Sequence, residues 1–232
     1  MIDFHSHILP QIDDGSSGVK ESLEMLEELS LQGVDTVVAT SHFYATQRSP
    51  QEFLARRERA FEQLKARLPE NAPRILLGAE VLYFPGMSRM DELSTLCIEG
   101  TNILLLEMPF RPWSEHMIRE VHDLARSGRY TLMMAHIERY YDDQPVSVWD
   151  DLLGEGVLMQ SNADCFLPFF AGRKALRLLR EDRIHLLGTD CHNMTSRPPQ
   201  MDEALRVIRR RLGEEKLAQI DELGRDLLQD VL

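Results

Sequence analysis

The chain has little of what a disulfide-stapled, membrane-spanning or nucleic-acid-binding protein needs. Its 232 residues include three cysteines, Cys97, Cys165 and Cys191, an odd number with no CxxC spacing. That argues against a disulfide framework and fits a reducing, cytoplasmic setting. No apolar run reaches the ~18 residues of a membrane helix, and no basic segment followed by an apolar stretch opens the chain. There is no glycine-rich phosphate loop, no low-complexity linker and no clear internal repeat. Positive charge is also short: 26 Lys and Arg stand against 38 Asp and Glu, a formal net charge of −12. Such a surface repels nucleic-acid phosphates and anionic lipid, so neither nucleic acid nor membrane insertion is expected. A local cationic or metal-rich pocket would still take an anion.

What is present is an ordinary globular composition, 43% hydrophobic and 28% charged, at a length that one α/β domain can fill. Seven short apolar runs recur, at 2–7, 35–42, 74–81, 102–108, 130–136, 157–162 and 184–192. Most have apolar residues at both alternating positions, the pattern of strands buried on both faces of a parallel sheet. Helical periodicity fills the intervals. Segment 19–33 places Leu23, Leu26 and Leu29 on one stripe before Gly33. A helix over 50–68 has Ser49 as its N-cap and Pro50 at its first position. Segments 113–127, 172–181 and 200–212 follow the same logic, and 214–231 carries five apolar residues at helical spacing. Strands alternating with helices predict a parallel α/β architecture, and the early first strand favours a closed or distorted barrel over a dinucleotide-binding sheet. One domain over 1–232 is expected, with the helix 214–231 docked on the barrel.

The chemistry sits where the apolar runs end. His5 and His7 end the first, His42 the second, Glu80 the third, Glu107 the fourth and His136 the fifth. Asn162 ends the sixth, and Asp190 and His192 the seventh. In a βα barrel these ends share the face that carries the active site. Alternation points His5 and His7 the same way, and likewise Asp190 and His192. Asp14 lies in the first loop, within reach of the same mouth. Four carboxylates and five imidazoles exceed what one ion uses, so two or three divalent ions sharing carboxylates fit better. Buried without cations, the carboxylates would repel strongly. With three divalent ions and a bridging hydroxide the site becomes slightly positive, a seat for a phosphate dianion.

These stretches resemble the PHP superfamily of metal-dependent phosphoesterases. Within it, the chain is most similar to the bacterial PHP-type protein-tyrosine phosphatases encoded with capsule and exopolysaccharide genes. The resemblance is carried by DFHSHILPQIDDG, VATSHF, GAEV, LLLEMP, AHIERY, QSNADCF and GTDCHNMTSRPP, in that order from residue 3 to 199. It implies a distorted, TIM-like (β/α)7 barrel of the PHP type with three metal ions, manganese first and iron or zinc also compatible. One ion would take His5, His7, Glu80 and Asp190. A second would take Glu80, Glu107 and His136, and a third Asp14, His42 and His192. Arg139 in AHIERY and Arg197 in TSRPP match the family's phosphate-binding arginines. Ile137 stands where the family usually has proline, which would loosen the turn presenting Arg139. The implied substrate is phosphotyrosine on the tyrosine-rich tail of a bacterial tyrosine kinase controlling polysaccharide synthesis; self-association is left open. The alternative within the superfamily is a small-molecule phosphatase, for histidinol phosphate or a nucleotide phosphoester. A barrel that only binds a partner would have lost ligands, and none is lost here.

The expected reaction is in-line attack on phosphorus by a metal-bridging hydroxide, with Arg139 and Arg197 neutralising the equatorial oxygens. A tyrosyl leaving group, of pKa about 10, departs with little help from an acid. The sequence identifies no proton donor, and His116 and Glu115 are the two to examine. Arg197 follows Cys191 at the spacing of a cysteine-phosphatase loop. Alternation nevertheless turns Cys191 away from the metals, and the loop lacks the glycines of a phosphate cradle. His116, His122 and His185 read as structural histidines, Met133–Met134 as core, and Arg209–Arg211 as a solvated helix face. Phe110 and Trp113 fit either a platform for the substrate ring or loop packing. Asn162 fits either a ligand-orienting or a strand-end role.

Overall fold

The computed structural model describes residues 1–232. Its first half runs β1 (Ile2–Ser6), α1 (Val19–Leu31), β2 (Thr36–Ala39), β3 (His42–Phe43), α2 (Pro50–Lys65), β4 (Arg74–Leu77) and β5 (Glu80–Leu82). Then follow β6 (Ile103–Glu107), α3 (Glu115–Arg126), β7 (Thr131–Met134), α4 (Val146–Gly154), β8 (Leu158–Asn162), α5 (Phe169–Arg180), β9 (Leu186–Gly188), α6 (Met201–Leu212) and α7 (Glu214–Leu227). Every ladder is parallel, in the orders β1-β2-β4 and β3-β5-β6-β7-β8-β9. Because β3 continues β2 and β5 continues β4, the two pieces follow one another round a curled sheet. Beyond β9, Asp190 N–H donates to His5 O (2.7 Å) and His7 N–H to Cys191 O (2.9 Å).

Two of the seven expected strands are each broken in two, at Thr40–Ser41 and at Gly78–Ala79. Thr40 N–H bonds Ser6 O, Gly78 N–H bonds Ala39 O, and Glu80 N–H is shared between Thr40 O and Ser41 O. Such irregularities bend a strand and re-aim its next side chain; here these are His42 and Glu80. Helix ends follow their caps. Ser49 and Glu52 form a reciprocal capping box at α2, and Gly33 at φ +83° stops α1. Helix α5 starts at Phe169, three residues ahead of expectation, directly after Pro168. Helix α4 was not anticipated; it is nine residues long, begins after Pro145, and buries Val148, Trp149 and Leu152. Helix α7 ends at Leu227 rather than 231, because its bonds tighten to i→i+3 there, Leu228 N–H reaching Arg225 O.

Alternation along the strands sorts the core into two layers. Leu104, Leu106, Leu132, Met134 and Leu187 belong to a large cluster shared with the helices. Their strand neighbours Ile103, Leu105, Met133, Ala135 and Leu186 form a smaller inner cluster with Ile2, Phe4, Val38, Leu76 and Leu228. Both faces being apolar explains the unbroken hydrophobic runs. Helix α7 covers the inner cluster with Leu223 and Leu227. It lies across the N-terminal ends of the strands: Arg225 pairs with Asp35 at 2.6 Å, and the Arg74 guanidinium bonds Leu232 O. Gly224 is required there, since a Cβ would stand 2.9 Å from the Phe4 ring.

Candidate metal centre

The opposite end of the sheet is polar. Along β6 the inner row runs Ile103, Leu105, Glu107; along β8 it runs Leu158, Gln160, Asn162; after β9 it continues through Gly188 to Asp190. In each, an apolar inner row turns polar at the strand's C-terminal end. In β1 the register shifts between Asp3 and Ser6, so the face that holds Ile2 and Phe4 below gives way to His5 and His7 above. His136 and Asp190 reach the mouth through positive φ angles, +29° and +51°, strained conformations of the kind held at functional sites.

All nine side chains singled out at the strand ends and first loop converge. His5 and His7 bring their Nε2 atoms to 3.2 Å of each other, and each lies 3.3 Å from Glu80 Oε2. Asp190 Oδ1 is 3.6 Å from His5 Nε2 and 3.3 Å from His7 Nε2. Glu80 Oε1 is 2.7 Å from His136 Nε2, which is 3.5 Å from Glu107. Asp14 Oδ1 lies 3.4 Å from both His42 Nε2 and His192 Nε2. His7 also falls within 4.8 Å of the Asp14–His42–His192 group, and His42 within 4.8 Å of Glu80 and Glu107. The three sets are therefore contiguous. All members are largely buried except Asp14, whose side chain is 66% exposed at the rim.

The protons of these imidazoles are placed by their outer partners. His5 Nδ1 faces the Gln160 carbonyl oxygen (3.1 Å), His7 Nδ1 the Asp13 carboxylate (2.9 Å) and His192 Nδ1 the Asp190 backbone oxygen (2.9 Å). Each partner accepts, so Nδ1 carries the hydrogen and Nε2 presents a bare lone pair to the cluster. For His7 this needs a cation in place: without one, burial would lower it, but Asp13, Asp190 and Glu80 outweigh burial and raise it well above its ordinary range. Glu80 Oε2 and His192 Nε2 are buried without a well-formed hydrogen bond, although His42 Nδ1 stands 2.8 Å from Glu80 Oε2. Burial and the nearby His7 charge push His192 down to about 4, toward the neutral form that binds metal. Burial would lower His136 too, but Glu107 and Glu80 outweigh it and raise it to about 10 without a cation in place. The donor set fits divalent cations.

Arg139 and Arg197 both place Nη2 on Asp190 Oδ2, at 2.5 and 2.6 Å, with Asn162 Nδ2 on the same oxygen at 2.8 Å. Asp190 thus turns one oxygen to the histidines and the other to two arginines, each about a third exposed. Ile137 is fully buried and does not loosen the turn: Arg139 N–H bonds His136 O at 3.0 Å. Phe110 and Trp113 separate. Phe110 is exposed beside His136 and under the Arg139 guanidinium. Trp113 is buried against Tyr140 and Trp149, its indole N–H on Pro109 O. His116 faces Glu120 in a surface pocket containing no member of the cluster, and Glu115 pairs with Arg119. Cys191 is buried, and burial pushes its thiol up to about 12.

Four supporting residues escaped the strand-end reading. Asp13 accepts from His7 Nδ1, His42 N–H and Gly15 N–H; its neighbour in the DDG triplet drew the ligand reading instead. Gln160 accepts from His5 and from His136 N–H (2.7 Å). Glu138, half-buried, takes the Ser161 hydroxyl and the Asn162 N–H, clamping the Arg139 turn to β8. Asp3, pushed up to about 6 by burial, accepts from the Thr189 hydroxyl and N–H and pins β1 beside Asp190. The available signal was polarity at positions that alternation buries.

Known proteins share this architecture. The family described as capsular polysaccharide synthesis, CpsB/CapC, matches residues 1–223. The tyrosine-protein phosphatase CpsB of Streptococcus agalactiae is 29% identical over 240 residues, covering 95% of this chain and 94% of that protein. The tyrosine-protein phosphatase YwqE of Bacillus subtilis is 30% identical over 222 residues, covering 93% and 86%. A crystal structure from the pair YwqE of Bacillus subtilis and CpsB of Streptococcus pneumoniae, described as unique metal-dependent tyrosine phosphatases, has a TM-score of 0.86. It is 27% identical and covers 99% of this chain and 95% of its own. A phosphotriesterase from Mycobacterium tuberculosis, at 12% identity and a TM-score of 0.56 over 94% of this chain and 90% of its own, shares the fold alone. With the match spanning nearly its whole length, the chain belongs to the CpsB/CapC family of capsular polysaccharide synthesis.

Proposed function

We propose that the chain is a metal-dependent protein-tyrosine phosphatase, a phosphoric monoester hydrolase of the cytoplasm. Its proposed substrate is the tyrosine-rich tail of a bacterial tyrosine kinase controlling polysaccharide synthesis. The observation that carries the reading is the convergence of nine ligand side chains with two arginines sharing Asp190 Oδ2. Membership of a family whose relatives carry the phosphatase name supports it. One ion would be held by His5, His7, Glu80 and Asp190, a second by Glu80, Glu107 and His136, and a third by Asp14, His42 and His192. Manganese is the proposed ion, with iron and zinc compatible with the same donors. The curled sheet is read as seven composite strands of a distorted barrel, one domain over the whole chain.

When bound, the ions supply Lewis acidity and make a water acidic enough to act near neutral pH. The chain's own residues do the rest. Arg139 and Arg197, anchored on Asp190 and each about a third exposed, bind the phosphoryl oxygens by charge-assisted bonds. Asn162 holds the carboxylate they share. Phe110, beside Arg139 and His136, offers an aromatic wall to the tyrosyl ring. A phenolate leaves without a dedicated acid, in keeping with the absence of His116 and Glu115 from the cluster. The test measures phosphate release by manganese-loaded protein from a phosphotyrosyl peptide, a phosphoseryl peptide and histidinol phosphate, each with and without chelator, alongside elemental analysis. Chelator-sensitive preference for the phosphotyrosyl peptide is the expected result. Preference for histidinol phosphate would keep the metals and discard the protein substrate.

A further inference from the structure

Helices α5 and α6 enclose a groove of about 320 Å³ with Phe166, Leu176 and Val207 along it. Its walls carry Arg173, Arg177 and Arg180 from α5 and Arg210 and Arg211 from α6. All five are exposed, and none forms an ion pair. Their neighbours do: Arg183 pairs with Asp150, Arg206 with Asp202 and Arg209 with Glu214. In a chain of net charge −12, five unpaired guanidiniums along one groove are not a residue of composition. They repel one another until an anion arrives. The α5 set recurs at i, i+4 and i+7, on one helix face, and α6 faces it, so the forks line a channel rather than a plane.

The groove adjoins the metal centre through the chain itself. Asn162, which holds Asp190, leads into the turn Ala163–Phe166, and Phe166 lines the groove. Asp164 in that turn lies in the field of Arg139, Asp190 and Arg197. At the start of α5, Phe169 and Phe170 are 66% and 81% exposed, with Arg173 at 4.3 Å over the Phe169 ring. Large apolar side chains this exposed mark contact surfaces when clustered. Guanidinium forks match carboxylates and phosphates. The concave, linear arrangement suits an extended peptide better than a flat bilayer.

We propose that the α5–α6 groove is a second docking site for the peptide substrate, binding an acidic segment that flanks the phosphotyrosine held at the metal centre. Phe169 and Phe170 receive an apolar or aromatic side chain between the two sites. The proposal rests on the phosphotyrosyl-peptide reading above, and the experiment separates the two. Phosphotyrosyl peptides with one core and either acidic or neutral extensions are compared with p-nitrophenyl phosphate, using wild type and the double variant Arg177→Glu/Arg210→Glu. In the wild type, KM is expected to be about tenfold lower for the acidic peptide, through charge complementarity at the groove. Raising salt from about 0.05 to about 0.5 M shrinks that gap, since exposed charges are screened. The double variant loses it, while kcat and turnover of p-nitrophenyl phosphate stay unchanged. Fluorescence anisotropy of an unphosphorylated acidic peptide reads the groove without catalysis, and Phe169→Ser/Phe170→Ser is expected to weaken that binding as well. Absence of acidic-peptide binding, or equal KM for both extensions, overturns the groove. Charge-reversal that abolishes binding to phosphatidylserine vesicles but leaves peptide KM untouched overturns it in favour of a membrane. Failure of every phosphopeptide with full turnover of p-nitrophenyl phosphate overturns the peptide-phosphatase reading, while the anisotropy still decides the groove.

Discussion

The two ends of the curled sheet are built from the same strands to opposite specifications. At the N-terminal end, Ile2, Phe4, Leu76, Ile103 and Leu228 touch one another with no polar side chain among them, under the lid of α7. At the C-terminal end the same inner rows finish in Glu107, Asn162 and Asp190, joined by His5, His7 and His136. The floor satisfies itself through apolar contact, which is non-directional and tolerant. The mouth does not: Glu80 Oε2 and His192 Nε2 are buried without a well-formed hydrogen bond, and the carboxylates repel. Buried charge is retained only where something compensates it. The contrast teaches that the floor supplies stability and the mouth consumes it, so the two should fail differently.

Glu80→Gln should produce the largest effect on turnover, since it preserves shape but removes the charge shared by two ligand sets. Turnover on a phosphotyrosyl peptide should fall by at least about 10²–10³, with lower metal content by elemental analysis. Wild-type turnover with full metal content would remove Glu80 from the shared position. Asp13→Asn acts one bond further out, on the partner of His7 Nδ1, and should weaken metal affinity by about 10–100-fold. A manganese titration of activity should then shift to higher concentration yet reach a similar plateau; an unshifted curve would make Asp13 a purely structural residue. Leu228→Ala tests the floor: it should cost about 2–5 kcal/mol in a denaturant midpoint and leave kcat and metal content of the folded protein as they were. Loss of metal together with stability would show that the two ends are coupled. Cys191→Ser should do least, keeping turnover within about twofold, as a thiol held at about 12 is not a nucleophile near neutral pH. A collapse of activity with folding and metal intact would revive a cysteine mechanism.

Much of this was readable from residues. Strands buried on both faces announce themselves by unbroken apolar runs, and a ligand at the end of each run marks one face. The helix over 146–154 was hidden because nine residues carry too few periods to stand out. The breaks at Thr40–Ser41 and Gly78–Ala79 were hidden because apolar pattern does not encode register. The roles of Asp13, Gln160, Glu138 and Asp3 depend on partners up to 186 residues away. The run Arg209–Arg211 split on folding: Arg209 found Glu214, while the other two turned to α5.

By itself the sequence determined the alternation of strand and helix, the two-faced burial of the sheet and the side chains that meet at its mouth. All three follow from local periodicity and residue chemistry. Tertiary structure alone decided which imidazole nitrogen keeps its proton, which Asp190 oxygen faces the arginines, and that five arginines from two helices share one groove. Those outcomes depend on distances between segments far apart in the chain, and no local pattern carries them.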